Sequence, residues 1–249
     1  MWLQFLYFAL YSFIGWICET IYCSLIDRKF VNRGFLNGPF CPIYGVGAIL
    51  VFNLFSWCGD NVGLLFILST ITTSLVEYLT SYILEVVFHL QLWDYSKRLI
   101  NLNGRVCAQN SIIFGIMSVL LVRFIHPTTG YIFSNIPPNL LIFISITLAI
   151  YFIVDTIFTA RVVLQINRDA SKRQMQLNEL TKIRDEFKQK LLTLKDTKLD
   201  ISNIPIVTHI KYRLSHRRFI KAFPSMKSSR YQEALSEMKK EILSKIKKS

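Results

Sequence analysis

The sequence predicts an all-α, polytopic membrane helical bundle of about five spans, with the amino terminus outside and a helical, basic carboxyl-terminal tail in the cytosol. Three observations carry that prediction. Of the 249 residues 52% are apolar and 14% aromatic, and the mean hydropathy is positive, as expected of a chain with lipid-facing surface. Charge is segregated: residues 1–160 hold seven Lys/Arg and seven Asp/Glu, so the whole net charge of +13 arises beyond residue 160. The short loops alternate between basic and uncharged, which is the pattern that orients membrane helices.

A helix needs about 20 mostly apolar residues to cross the hydrocarbon core. Five stretches meet that requirement: 3–26, 39–57, 62–90, 109–125 and 140–159. The first lacks the charged leader of a signal peptide and contains Glu19, so it reads as a retained span. The fourth ends near Arg123, which can extend to the headgroups. The loop 27–38 carries Arg28, Lys29 and Arg33, and the loop 91–108 carries Lys97, Arg98 and Arg105. The turn near Asp60 and the expected loop 126–139 have no Lys or Arg, so both basic loops and the tail fall on one face, the cytosolic one. Residues 1–160 therefore read as the transmembrane domain, 161–198 as a heptad helix continuing the fifth span, and 199–249 as an amphipathic basic tail.

Ionisable groups inside spans cost about 2.5–3.5 kcal/mol at the helix centre. There are four here: Glu19, Glu77, Glu85 and Asp155. In the first span Tyr11, Gly15, Glu19 and Cys23 recur every four residues beside Ser12 and Trp16, giving one polar face that should turn into the bundle. In the third, Ser74, Glu77, Ser81, Glu85 and His89 form a similar stripe flanked by Tyr78 and Tyr82. Glu77 and Glu85 are separated by a rise of roughly 12 Å, so they line a path and do not share one proton site. One reading makes these acids neutral or hydrogen-bonded glue between helices. The other brings Glu19 and Glu85 together with Arg33 and Arg105 in a carboxylate and guanidinium cluster at the cytosolic mouth. Asp155 is expected to pair with Arg161 and to anchor the fifth span.

Two basic loops are richer in unusual residues than connections require. NRGFLNGPFCPIYGVG (32–47) packs four glycines and two prolines around Asn32, Arg33, Cys41 and Tyr44, and reads as a broken or re-entrant element lining a polar cavity. WDYSKRLINLNGRVC (93–107) is dense in hydrogen-bonding groups, including Trp93, Asp94, Tyr95, Asn101 and Arg105. It also fits a capped interfacial loop with Trp93 and Tyr95 in the aromatic belt.

Beyond the fifth span, positions 166, 170, 173, 177, 180, 184, 187, 191 and 194 follow heptad spacing, interrupted by Arg173 and Arg184. They predict either coiled-coil pairing with a second copy or a helix packed on its own protein. Residues 206–223 mix Ile206, Val207, Ile210, Leu214 and Phe219 with Lys211, Arg213, Arg217, Arg218 and Lys221, as a segment lying on anionic lipid would. Pro224 ends that piece, and Ser228 or Ser229 is placed to cap a last helix with the stripe Leu235, Met238, Ile242 and Ile246. No nucleic-acid-binding fold or aromatic platform accompanies the basic charge.

The five cysteines show neither disulfide nor zinc spacing, and no metal or cofactor is indicated. GxSxG, HExxH, GxxxxGK[ST] and GxGxxG are all missing, so the chain holds no ATPase or familiar hydrolase signature. A Cys41 nucleophile with His89 as its base is conceivable, and no spacing singles it out.

The blocks YSFIGWICE (11–19), NRGFLNGPFCPIYGVG (32–47) and WDYS with NLNGRVC (93–107) resemble the signatures of a bacterial family of type IV ABC transporter permeases, the CmpB-like family. SIIFG (111–115) is a looser match, with Phe114 where tryptophan is expected, and FPSMKSSRYQEAL (223–235) is similar more faintly. The resemblance covers about residues 1–160 and implies a transport subunit of the bacterial plasma membrane working with a separate ATPase. It carries over Glu19, Glu77, Glu85 and Asp94 as candidate chemical groups, with Asn32, Arg33, Cys41, Tyr44, Trp93, Tyr95, Asn101 and Arg105 as candidate substrate-binding residues. It also carries over Gly34, Gly38, Pro39, Pro42, Gly45, Ser96, Gly104 and Cys107. A permease-like subunit with a polar site toward the cytosolic leaflet is the leading expectation. The alternatives are an intramembrane enzyme acting on a lipid-like substrate with Arg33 and Arg105 as anion clamps, and a scaffold working through its basic tail.

Overall fold

The computed structural model describes residues 2–28, 30–58, 60–193 and 214–247. Among them eight α-helices follow in order: α1 (Trp2–Asp27), α2 (Pro42–Phe55), α3 (Val62–Phe88), α4 (Ala108–Leu120), α5 (His126–Ser134), α6 (Pro138–Thr193), α7 (Leu214–Ala222) and α8 (Gln232–Lys247). Four two-residue strands, β1 (Leu90–Gln91), β2 (Asn101–Leu102), β3 (Val106–Cys107) and β4 (Lys227–Ser228), form two antiparallel pairs, β1 with β4 and β2 with β3. Four helical stretches, Trp2–Ile26, Val62–Phe88, Ala108–Ser134 and Pro138–Phe187, are long and apolar enough to cross a membrane, and Pro42–Cys58 is a shorter apolar helix. The chain is thus a helical membrane protein.

Helix ends follow local chemistry. Pro42 lies in the first turn of α2, where its missing N–H costs nothing. The Asn61 side chain caps α3 by accepting from the Leu64 amide at 3.0 Å, and His89 closes it in the left-handed conformation. Neighbouring helices meet through small residues. A Cβ on Gly15 would stand 2.4 Å from the Tyr44 side chain, and one on Gly45 would stand 2.6 Å from the Phe8 carbonyl, so α1 and α2 approach at backbone distance. Gly115 gives α4 the same closeness to Thr70 and Phe66 of α3.

The expected outer loop at 126–139 is a correction. The helix beginning at Ala108 continues to Ser134, with one π-helical turn at Leu121–Ile125, and only residues 135–137 separate it from α6. Pro127 explains the turn: it cannot donate to the carbonyl four residues back, and its ring crowds that carbonyl, so the helix widens just before it. Arg123 reaches the Asp60 carbonyl at 3.2 Å across the same end of the bundle.

Between α1 and α2 the chain is irregular. Asp155 does not serve as a partner for Arg161 there. Its carboxylate accepts the amides of Asn37 at 3.0 Å and Gly38 at 2.8 Å and fastens this segment to α6. A Cβ on Gly38 would collide with the Tyr151 hydroxyl, so any side chain there would have to displace Tyr151. Cys41 then donates its amide to the Ser12 carbonyl at 2.9 Å, and α2 begins.

The tail folds back on the protein. Leu90, Leu92, Val163, Ile166, Ala170, Phe219, Ile220, Met226, Leu235, Met238 and Ile242 form one buried core between α6, α7, α8 and the start of the 89–107 loop. The expected seam positions 166, 170, 173 and 177 are buried, and Arg173 pairs with Glu237 at 3.2 Å and Glu241 at 3.0 Å, so this part of the seam packs on its own chain. Leu180 and Phe187 further along remain exposed. The apolar side of α7, Phe219 and Ile220, is equally internal, so it does not lie on lipid. Ser228 accepts the Tyr231 amide at 3.0 Å ahead of α8, as its sequence position anticipates. Residues 206–213 and Leu194, and the side chains of Leu191, Leu214 and Ile246, fall outside the described residues.

Ile220, fully buried in this core, makes the docking testable. Ile220→Ala is expected to cost about 2–5 kcal/mol. Amide exchange should then accelerate in α7 and α8 while α3 stays protected, whereas uniform acceleration would mean that tail and bundle unfold as one unit.

Candidate functional site

The polar face of the first span does turn inward. On α1, Glu19 lies 3.4 Å from Arg33 Nε and accepts the Tyr44 hydroxyl at 2.7 Å. Trp16, one turn back, donates its indole N–H to Asn32 at 2.8 Å, and the Asn32 side chain also accepts the Gly34 amide at 3.3 Å. Asn32, Arg33, Cys41 and Tyr44 are therefore gathered against α1 by the irregular segment. Cys41 is buried with its sulfur 3.9 Å from the Arg33 carbonyl. His89 is engaged elsewhere, as the cap of α3 and through its carbonyl, which accepts the Ser229 amide at 3.1 Å. Arg33 faces both ways, since its guanidinium also donates to the Ala222 carbonyl of α7 and lies 5.4 Å from the Phe223 ring centroid.

Deeper in the bundle, Glu77 is 3% exposed. The Tyr95 hydroxyl and the Asn110 amide lie near its carboxyl, while Oε2 has no hydrogen-bond partner among the described residues. Burial, reinforced by the Glu77 and Glu19 carboxylates, pushes the Tyr95 phenol up, so Tyr95 remains a protonated donor. Glu77 also lines a cavity of about 100 Å³ whose wall is mostly apolar, with Tyr11, Tyr44, Thr73 and Ser118 as its other polar members.

The second expected pair forms separately. Arg105 pairs with Glu85, reaches Ser81 at 3.3 Å, and lies 5.6 Å from the ring centroids of both Tyr78 and Tyr82. Neither Arg33, Glu85 nor Arg105 lines the cavity, so the structure holds two ion pairs where the sequence anticipates one cluster. The rest of the 93–107 segment is construction. Asn101 donates to the Arg98 carbonyl at 2.9 Å and accepts the Gly104 amide at 3.0 Å, and Trp93 donates to the Arg105 carbonyl at 2.8 Å. Asp94 binds the Ser96 amide and hydroxyl, each at 3.0 Å, and pairs with Lys227 of β4 at 2.6 Å. No group of three or more metal-binding side chains occurs among the described residues.

One constellation escaped the sequence reading. The Tyr11 hydroxyl contacts His126 Nδ1 at 2.7 Å and Thr129 at 3.3 Å, and the Phe52 ring stacks on His126 with centroids 3.4 Å apart. The π-helical turn carries His126 inward, where a loop assignment leaves it outside. Pro127 within an apolar run was the available signal.

Two outcomes are expected. Gly45→Ala should separate α1 from α2 and cost about 1–3 kcal/mol, read as a lower unfolding temperature in detergent. For Asp94, burial raises the pKa, but Lys227 and the Ser96 amide and hydroxyl outweigh burial and hold it below the ordinary value. Its contribution is present above about pH 4, the ordinary carboxylate value, and is lost as pH falls through the lower folded value. Amide exchange at the β1–β4 pair should therefore quicken in acid in the wild type, and Asp94→Asn should remove that dependence.

No curated protein and no solved structure matches the chain. A family profile described as Putative ABC-transporter type IV matches residues 6–160, which contain most of α1, all of α2 to α5, the first part of α6, and the Glu19–Arg33 and Glu85–Arg105 pairs. By that match over more than half its length, the chain belongs to this ABC-transporter family.

Proposed function

We propose that the protein is a permease-like subunit whose polar site is the Glu77 cavity, reached from the cytosolic leaflet past Tyr44 and the Glu19–Arg33 pair. One observation carries this reading: Glu77, buried and with one carboxyl oxygen unpartnered among the described residues, lines a mostly apolar chamber in a helical bundle. A carboxyl in such surroundings requires a proton or a cationic ligand as its partner. Tyr44 stands between the two features, since it lines the cavity and hydrogen-bonds Glu19. The orientation rests on the basic loops and tail, which share one face, in a bacterial plasma membrane. Family membership and the lack of a phosphate-binding loop in this chain support a separate ATPase subunit as partner.

Access to the cavity tests the reading. With the five native cysteines replaced, Thr73→Cys should react with a membrane-impermeant thiol reagent in inside-out vesicles, and faster when Tyr44 is Ala. Protection from both faces would mean a closed structural chamber. Glu77→Gln, which keeps the shape but loses the charge, should fold normally and abolish proton or cation flux in proteoliposomes, read with an entrapped pH dye; unchanged flux would remove Glu77 from the pathway.

A further inference from the structure

We infer that the notch between Phe30–Asn32 and α7 is a phosphate-binding site that holds the headgroup of an anionic membrane lipid. The notch has a volume of about 310 Å³ and is lined by Phe30, Val31, Asn32, Arg217, Arg218, Lys221 and Ala222. It is separate from the Glu77 cavity and does not depend on a transport role.

Charge accounting makes the case. Elsewhere among the described residues, three partly buried arginines have carboxylate partners: Arg33 has Glu19, Arg105 has Glu85, and Arg173 has Glu237 and Glu241, while the partly buried Lys239 donates to the Met226 carbonyl. Arg217, Arg218 and Lys221 have none within ion-pair distance among those residues. Arg218 donates to the Gly34 and Leu36 carbonyls, and its Nε is buried without a hydrogen-bond partner. Burial disfavours its charge, and the nearby Asp155, which favours it, has both oxygens already taken by the Asn37 and Gly38 amides. Lys221 donates to the Phe30 carbonyl at 3.2 Å. Three positive charges thus converge on a concave surface whose protein partners are neutral carbonyls, and a phosphate is the anion whose oxygens guanidinium groups fit best.

The apolar border identifies the source of that phosphate. Phe30 is 67% exposed, and Leu25 and Ile26 at the end of α1 are 74% and 64% exposed. Leu25 and Ile26 close a helix long and apolar enough to cross the membrane and Phe30 follows it, so the notch lies where acyl chains give way to headgroups. A soluble phosphate would gain nothing from this border.

Native mass spectrometry of the full-length protein in mild detergent tests the inference, with phosphatidylglycerol, phosphatidylcholine and inorganic phosphate as separate probes. The wild type should retain phosphatidylglycerol in preference to phosphatidylcholine. The double variant Arg217→Gln/Lys221→Gln, which spares the loop-holding Arg218, should bind phosphatidylglycerol at least about tenfold more weakly. Its unfolding temperature in phosphatidylcholine nanodiscs should stay at the wild-type value, and Arg217→Gln alone should show an intermediate loss if the double variant does not fold. Equal retention of phosphatidylglycerol by wild type and variant, or equal binding of both lipids, would overturn the site. Displacement of the lipid by millimolar inorganic phosphate would reassign it to a soluble ligand.

Discussion

An irregular backbone at the end of an apolar bundle must find its hydrogen bonds inside the protein, and in this molecule Asp155 meets much of that need. By accepting the Asn37 and Gly38 amides from α6, it holds the connection between α1 and α2 in one place. Arg33 is then delivered to Glu19, Asn32 to Trp16, and the Cys41 amide to Ser12, where α2 can start. The tail completes the arrangement from the other side: Arg218 donates to the Gly34 and Leu36 carbonyls, and Arg33 reaches the Ala222 carbonyl. A single buried carboxylate thereby ties α1, α2, α6 and α7 to one geometry.

The two halves of the molecule are held by different forces. Between membrane helices, lipid offers no hydrophobic gain, so contact rests on close approach at Gly15, Gly45 and Gly115 and on bonds such as Ser74 to Ser111 at 2.7 Å. The core of α6, α7 and α8 is of the kind that forms in water, where burying Phe219, Ile220, Met238 and Ile242 is itself the driving force. The β1–β4 pair and the Asp94–Lys227 bridge join these halves at the loop that also positions Tyr95.

Much of this was legible in the sequence. Helical architecture and the apolar stretches follow from composition and run length, because a helix satisfies its backbone locally and lipid demands that it do so. The inward faces bearing Glu19 and Glu77 follow from helical periodicity, and the cost of isolated charge pointed Glu19 and Glu85 toward the loop arginines, though as one cluster where folding makes two ion pairs. The hairpin at Asn103–Gly104, with positive φ at both residues, had its dipeptide signal in plain view, yet the reading treated that segment as a loop.

Tertiary structure alone decided what lies between segments distant in sequence. The partners of Asp155 are backbone amides more than a hundred residues away, and periodicity carries no record of a backbone donor. Arg33 and Arg105 look equivalent in the sequence, but only folding sends one to the tail and the other to the rings of Tyr78 and Tyr82. The apolar seam of α6 is the same pattern whether a second copy or α8 covers it, and intramolecular packing, with both surfaces on one chain, resolved residues 166–177. Local sequence determines which surfaces are apolar and which groups are charged; which of them meet depends on the path of the whole chain.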